Sequence, residues 1–357
     1  MPRNVAIIPD YAALMEVFAQ LHHGAIIQLS PPDQEIPSEI MPLDTSHSWL
    51  GVCSSGSTGV PKTVWKRWDA LLAEVNSGIG LAGWTWATSF EPWSFAGVQV
   101  ALQAWKTQGR ILFLDNHWER NWSRLSEDQA RAISSTPTFL DLLVQHGAAQ
   151  PASDGIRQIT LGGEPLRPAI GKRIQHRFPR ARFTVIYASA ELGVILKTHR
   201  TDGWYEIDSL RRRFQNWRQT ESGALEIESE HGWQTTGDLI EVREDDVRII
   251  GRCDDVANVA GVKVNLGKVA ECAEEVPGVR RAVATAQANP ITGQIVCLHY
   301  ELNADVAPQA ARENLESHLR QHLPKAAWPR LWTEETIGLG PNSKRGFQKS
   351  NSTVVYR

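Results

Sequence analysis

Ser54-Ser55-Gly56-Ser57-Thr58-Gly59-Val60-Pro61-Lys62 is the stretch on which the reading of this chain turns. It follows an apolar run, Ser48 to Cys53, that predicts a buried strand. It precedes Thr63 to Val75, whose apolar stripe at helical spacing predicts a helix. Small residues let a backbone bend tightly and bring its N–H groups up to an anion, hydroxyls add donors, and a lysine adds a full positive charge. Such a loop suits a polyphosphate. The common phosphate loop, G-x-x-x-x-G-K-[ST], needs glycine before the lysine, and Pro61 stands there instead. Read alone, the stretch also fits a polar, flexible turn, the lesser of the two readings.

Working outward, Tyr11 to His22 predicts a short amphipathic helix and Ala25 to Leu29 a strand; a proline-containing linker then leads to the loop. His22 and His23 are adjacent, point about 100° apart on a helix and make a poor metal pair. Beyond the loop, helical patterns (Val98 to Lys106, Leu140 onward, Arg167 to Arg177) alternate with strands (Arg110 to Leu114, Ala132 to Phe139, Ile156 to Leu161, Arg182 to Tyr187). That alternation argues for a largely parallel, helix-covered sheet.

From about residue 203 the strands become shorter and more polar (Ala224 to Ser229, Leu239 to Val242, Val247 to Ile250), as in an antiparallel region. An α+β module follows Gly251-Arg252. The expected fold is therefore α/β, with a large domain over residues 1–250 and a small α+β domain over residues 251–357.

Composition bounds the function. Hydrophobic residues make up 42% and charged residues 22%, ordinary for a globular protein, and the formal net charge of −3 gives no reason to expect a nucleic acid or an anionic membrane as partner. No apolar run reaches the roughly 18 residues of a membrane span, and the segment before Asp10 is too short for a signal peptide. The four cysteines, Cys53, Cys253, Cys272 and Cys297, form no C-x-x-C pair, so neither a disulfide framework nor a structural zinc site is expected, and a cytoplasmic location fits. Nothing bears on oligomeric state.

Four further stretches carry chemistry. Tyr187-Ala188-Ser189-Ala190-Glu191 ends a predicted parallel strand, where ligands sit in open α/β sheets; Tyr187 could lie against a purine and Glu191 could hold magnesium. Read alone, it is a strand-end turn with one acidic residue. Thr235-Thr236-Gly237-Asp238 predicts a tight turn whose carboxylate could accept ribose hydroxyls. Gly251 to Lys263 carries Arg252 and the pair Asp254-Asp255. Pro341-Asn342-Ser343-Lys344 presents a lysine on a turn.

Together, and in this order, these motifs closely resemble those of the adenylate-forming superfamily of acyl-CoA synthetases, adenylation domains and luciferases. The match runs from about residue 45 to about 350. The short layout, with Phe95-Ala96-Gly97-Val98-Gln99-Val100, is similar to the o-succinylbenzoate–CoA ligases, although Trp93, Ser94 and Phe95 stand where those enzymes carry histidines. Against a full-sized member, roughly the first 100 to 150 residues are expected to be missing. Ala188 and Ala190 replace the glycine and threonine of Y-G-x-T-E, and Ser343 replaces the glycine before Lys344.

The resemblance implies a role for each position. Ser54, Ser55, Gly56, Ser57, Thr58, Gly59 and Lys62 would cover the β- and γ-phosphates of ATP. Gly162, Gly163 and Glu164 would form the adenine-side loop, with Tyr187 stacking on the base beside Ala188. Glu191 would hold Mg2+, Asp238 and Arg252 the ribose, and Trp93, Phe95 and Gly97 the acid. Asp254 would sit at the hinge of a mobile C-terminal domain carrying the catalytic Lys344.

The implied activity is AMP-forming activation of a carboxylic acid, then transfer to a thiol of CoA or of carrier-protein phosphopantetheine. Trp84, Trp86, Phe90, Trp93 and Phe95 suggest an aromatic or otherwise apolar acid, or else belong to the core. Two alternatives stay open. Phe90-Glu91 resembles the Phe-Asp pair of amino-acid adenylation domains, and the substitution at Ala190 admits a catalytically degenerate nucleotide-binding protein.

Overall fold

The computed structural model describes residues 3–21, 25–32, 46–54, 62–75, 78–115, 117–147, 154–229, 232–303 and 306–337. By internal contacts the chain divides into two compact units. The first is Met1–Glu164 with Arg173–Thr201, and the second is Pro165–Lys172 with Asp202–Arg357. The sequence-based division at 250/251 falls inside the second unit.

The first unit holds two sheets. One runs β1 (Arg3–Ile7), β2 (Ile26–Ser30), β3 (Trp49–Ser54), β4 (Lys62–Arg67), parallel except for the β3–β4 hairpin. The other contains β5 (Thr85–Thr88), β6 (Arg110–Phe113), β7 (Ala130–Ser135), β8 (Gln158–Gly162), β9 (Arg182–Ser189) and β10 (Gly193–Thr198), in the order β10-β9-β8-β7-β5-β6. All its pairings are parallel except the β9–β10 hairpin.

Helices α1 (Tyr11–Leu21), α2 (Trp68–Ala73), α3 (Phe95–Lys106), α4 (Trp118–Glu127), α5 (Pro137–His146) and α6 (Pro168–Arg177) lie between these strands in the chain, and α6 straddles the division of the units. Periodicity explains α1: Leu14, Val17, Phe18 and Leu21 fall on one face and are fully or nearly buried. They share a core with Leu50, Val52, Trp68, Val98, Ala101 and Ala190.

The second unit contains an antiparallel sheet of β11 (Tyr205–Glu206), β12 (Trp217–Gln219), β13 (Ala224–Ser229), β14 (Gly232–Arg243) and β15 (Asp246–Arg252), with α7 (Asp208–Arg213). Its second sheet is made of β16 (Val256–Val259), β17 (Val262–Asn265), β18 (Val279–Asn289), β19 (Gly293–Leu302) and β20 (Leu331–Glu334). Helices α8 (Leu266–Glu274) and α9 (Pro308–His322) pack on that sheet around a core of Val269, Ala273, Val296, Leu298, Leu315 and Leu319.

Two expectations are corrected. Thr63 to Arg67 is not helical: it is β4, paired in register with β3 so that Cys53 faces Thr63 and Ser54 faces Lys62. Val64, Trp68, Leu71, Leu72 and Val75 do recur at helical spacing, but a strand partner takes the hydrogen bonds of the first part and only Trp68–Ala73 stays helical. Thr235 to Asp238 is not a turn between strands; it lies inside β14 at a register shift, where Gly237 adopts φ +73°. Helix α4 and strands β5 and β10 were not anticipated, since each is short or weakly patterned.

Candidate functional site

In the first unit the site begins where β3 and β4 part. Ser54 and Lys62 are the last paired residues of the hairpin and flank the loop. Ser55, Gly56, Ser57, Thr58 and Gly59 lie outside the described residues. The Ser54 hydroxyl is buried and has no hydrogen-bond partner among the described residues. Cys53 anchors this edge: its backbone N–H donates to the Trp93 carbonyl at 3.0 Å, and its thiol donates to the Leu29 carbonyl at 3.3 Å. Burial pushes that thiol up to about 12, so it stays protonated and unreactive.

The segment reached from Cys53 is held rigidly. Tyr11 Oη donates to the Phe90 carbonyl at 2.7 Å, and burial raises the Tyr11 phenol. Ser94 caps α3, its hydroxyl accepting from Gly97 N at 3.0 Å and donating to the Glu91 carbonyl at 2.6 Å. A Cβ on Gly97 would stand 2.0 Å from the Glu91 carbonyl oxygen, so only glycine fits. Trp86 is 5% exposed and is core, with Trp84 and Phe90 packed on it; Trp93 and Phe95 are half-buried beside the other core cluster.

Lys66 ties the hairpin to the turn after β9. Its ammonium donates to the Glu191 carbonyl at 2.8 Å and lies 5.6 Å from the centre of the Phe95 ring. Lys62 and Lys66 stand on one face of β4, four residues apart, so two cations share that face. Ser189 Oγ accepts from Leu192 N at 3.0 Å and shapes the turn, leaving Glu191 exposed and Tyr187 half-buried. Gly162 faces Ile186 in the β8–β9 register. Gly163, at φ +85°, would bring a Cβ to 3.4 Å from Thr136 and 3.5 Å from Phe90. Glu164 accepts from Thr138 N at 2.5 Å, placing its carboxylate at the N-terminus of α5.

Thus the first unit places Ser54 and Lys62 at the mouth of the β3–β4 hairpin, Trp93, Phe95 and Gly97 at the start of α3, and Gly162, Gly163, Glu164, Tyr187, Ala188 and Glu191 at and beyond the ends of β8 and β9. The second unit holds a separate group. Asp238 and Arg252 face each other across β14 and β15, with Arg252 Nη1 donating to Asp238 Oδ1 at 3.2 Å and Nε 3.6 Å from Asp254 Oδ2. Burial works against the Arg252 charge, but Asp238, Asp254 and Asp255 outweigh it and raise the guanidinium above its ordinary value. Lys344 lies outside the described residues.

A family model described as AMP-binding enzyme matches residues 11–216, more than half of the chain. The chain belongs to this family of AMP-binding enzymes. It is similar to phenyloxazoline synthase MbtB of Mycobacterium tuberculosis, 24% identical over 349 residues that take in 80% of this chain and 24% of that protein. It is also similar to the 2-succinylbenzoate–CoA ligase of Staphylococcus aureus, 24% identical over 362 residues covering 91% of this chain and 70% of the ligase. The chain spans about a quarter of the synthase's length. Among solved structures, the ATP-bound RpMatB-BxBclM chimera B3 matches with a TM-score of 0.73 at 14% identity, over 95% of this chain and 86% of that one. At such identity the likeness shows the fold, and it agrees with the α/β architecture described above. No helix among the described residues is long and apolar enough to cross a membrane.

For an AMP-binding enzyme, the open donors around β3 and β4 are the chemically informative feature. A buried hydroxyl without a partner is costly unless a ligand or water satisfies it, and Ser54 faces the loop lysine. The exposed Glu191 carboxylate, on a turn whose backbone Lys66 fixes, has room for a hydrated cation. Lys66 itself was missed by sequence reasoning. Its signal was present: on a strand, Lys62, Val64 and Lys66 share one face.

Proposed function

We propose that this chain activates a carboxylic acid with ATP, releasing pyrophosphate, and passes the acyl group from AMP to a thiol of CoA or of carrier-protein phosphopantetheine. The observation that carries the reading is that β4 presents Lys62 at the loop mouth opposite Ser54, whose buried hydroxyl has no hydrogen-bond partner among the described residues, and on the same face Lys66, which holds the Glu191 turn. The family membership and the two named ligase and synthase relatives support it.

A carboxylate is a poor acyl donor because its leaving group would be an oxide. Its oxygen attacks the α-phosphorus of ATP, the bond to pyrophosphate breaks, and the acid becomes a mixed anhydride with AMP as leaving group. Negative charge on the phosphates rises in that step, so fixed positive charge and oriented N–H groups supply most of the catalysis. Residues 54–62 would orient the β- and γ-phosphates, with Lys62 countering their charge. Tyr187, Ala188 and the Gly162-Gly163-Glu164 loop would bracket the adenine, Gly163 keeping its Cβ-free face toward Thr136 and Phe90. Asp238 and Arg252 would meet the ribose. A magnesium ion held through Glu191 would supply further neutralisation of the phosphates when bound. Trp93 and Phe95 would lie against an aromatic or apolar acid. Residues 251–357 would form the mobile domain, hinged at Asp254 and carrying Lys344 to the α-phosphate. A thiolate sulfur then attacks the acyl carbon and AMP leaves. All four cysteines are free thiols, in keeping with a reducing cytoplasm.

The test is acid-dependent ATP–pyrophosphate exchange across a panel of aryl, alkyl and amino acids, followed by mass spectrometry of products with CoA and with carrier protein. Exchange with none of them would overturn the reading in favour of a nucleotide-binding protein without this activity. The Phe90-Glu91 pair motivates one variant: exchange confined to amino acids would identify an amino-acid-adenylating enzyme. Lys344→Ala is expected to abolish exchange while sparing acyl transfer from preformed acyl-AMP; equal loss of both half-reactions would contradict its assignment.

A further inference from the structure

Helices α8 and α9 bring together three side chains that adenylation does not use. Cys272 on α8 and His318 and His322 on α9 each offer one ligand atom, and these atoms all lie within 4.8 Å of one another. A tetrahedral ion with one sulfur at about 2.3 Å and nitrogens at about 2.0–2.1 Å needs donor atoms about 3.5 Å apart, so modest side-chain rotation closes the gap. His318 and His322 are one helical turn apart, with ring centres 4.1 Å apart.

Two details point to a ligand rather than to packing alone. His322 Nδ1 lies 2.9 Å from the His318 carbonyl oxygen. A carbonyl only accepts, so Nδ1 carries the proton and Nε2 keeps its lone pair for a metal, the arrangement in which an outer hydrogen bond fixes a ligand imidazole. His318 Nε2 is buried and makes no hydrogen bond among the described residues; Glu275 Oε2 lies 3.4 Å from it. Glu275 is one turn beyond Cys272 and supplies an oxygen on the same side. The Cys272 thiol is buried in the core that α8 shares with Leu315 and Leu319.

We propose that Cys272, His318 and His322, with Glu275 as fourth ligand, form a zinc site that clips α8 to α9. One thiolate, two imidazoles and a carboxylate in a near-tetrahedral cluster match zinc rather than magnesium or calcium, which take oxygen donors. Burial and the nearby Glu275 and Glu271 hold the thiol up, to about 11, and a bound dication reverses that balance by stabilising the thiolate. The site is independent of the proposed adenylation chemistry, so its test needs no activity readout.

The experiment titrates untagged, chelator-treated full-length protein with Co2+ and then Zn2+, followed by optical absorption and by thermal unfolding. One equivalent of Co2+ is expected to give thiolate-to-cobalt charge-transfer absorption with tetrahedral visible bands, both displaced by Zn2+, and Zn2+ is expected to raise Tm. Cys272→Ser should abolish the charge-transfer band. His322→Ala, at an exposed position that leaves the core intact, should weaken Co2+ binding by more than about 100-fold. Glu275→Gln should weaken it about tenfold. Absence of stoichiometric binding, or charge-transfer absorption that persists in Cys272→Ser, would overturn the site. Unchanged affinity in His322→Ala would overturn it as well, and unchanged affinity in Glu275→Gln would remove Glu275 from the ligand set.

Discussion

At the mouth of the β3–β4 hairpin the Ser54 hydroxyl is buried without a hydrogen-bond partner among the described residues, whereas in the second unit Asp238 and Asp254 share the guanidinium of Arg252. The first arrangement leaves a polar group waiting, at a cost of about 1–3 kcal/mol when nothing satisfies it. The second has already paired its charges, and half-exposed pairs of this kind contribute only about 0–1 kcal/mol. A ligand arriving at the first region therefore gains the satisfaction of an orphan. One arriving at Asp238 must share the carboxylate with Arg252. The contrast separates residues whose loss should be felt mainly in ligand handling from residues whose loss should be felt mainly in folding.

The largest effect tests the first region. Lys62→Ala is expected to lower the acid-dependent exchange rate on the order of 100-fold with little change in the urea unfolding midpoint; a large fall in the midpoint would make Lys62 structural. Next, Gly237→Ala probes the paired region. Gly237 sits at φ +73°, and an added Cβ would stand 2.9 Å from Arg252 Nη2. The left-handed backbone alone costs about 1–2 kcal/mol, so the unfolding midpoint should fall accordingly, and an unchanged midpoint would show that the Arg252 pairing tolerates displacement.

Ser54→Ala follows, with effects of opposite sign on two measurements. Removing a buried hydroxyl with no partner among the described residues should leave the nucleotide-free protein as stable or up to about 1 kcal/mol more stable, while ATP binding weakens several-fold by calorimetry. If stability fell and affinity held, the hydroxyl would not be an orphan in solution. The smallest effect concerns Glu241 on β14, whose burial raises its carboxyl but is outweighed by the hydrogen bond and charge of Arg248, then Arg243 and Lys268, leaving it lowered overall. A lowered folded-state value means the pair stabilises above the ordinary glutamate range and that this contribution is lost as pH falls through the depressed value. Glu241→Gln should lower stability by about 1 kcal/mol or less at neutral pH and above, a difference that vanishes as pH falls below the depressed value, so the acid limb of the stability curve flattens.

Much of the fold was legible because local pattern encodes which face is apolar. Helices α1, α3 and α6 and strands β8, β9 and β13 stand close to where their periodicity put them. Thr63 to Arg67 misled because the same residues fit a helical stripe and a half-buried strand, and only pairing with Trp49–Ser54 decides between them. The strand identity of Thr235 to Asp238 was hidden by Gly237, which reads as a turn residue but here makes a bulge. Trp86 illustrates the limit for pocket residues: an aromatic in a cluster can line a cavity or fill a core, and here it fills the core.

Alone, the amino-acid sequence determined the order of the glycine, hydroxyl and carboxylate motifs, and with it membership of a family of AMP-binding enzymes, since motif order survives at identities where side-chain detail has drifted. Only the tertiary structure decided that Lys66 grips the Glu191 turn, that Ser54 finds no partner among the described residues, and that Cys272 meets two histidines some forty-six and fifty residues further along the chain. The reason is physical. Periodicity reports how one segment divides between oil and water, whereas contacts between distant segments are fixed by how whole elements close-pack, and that is a property of the assembled chain.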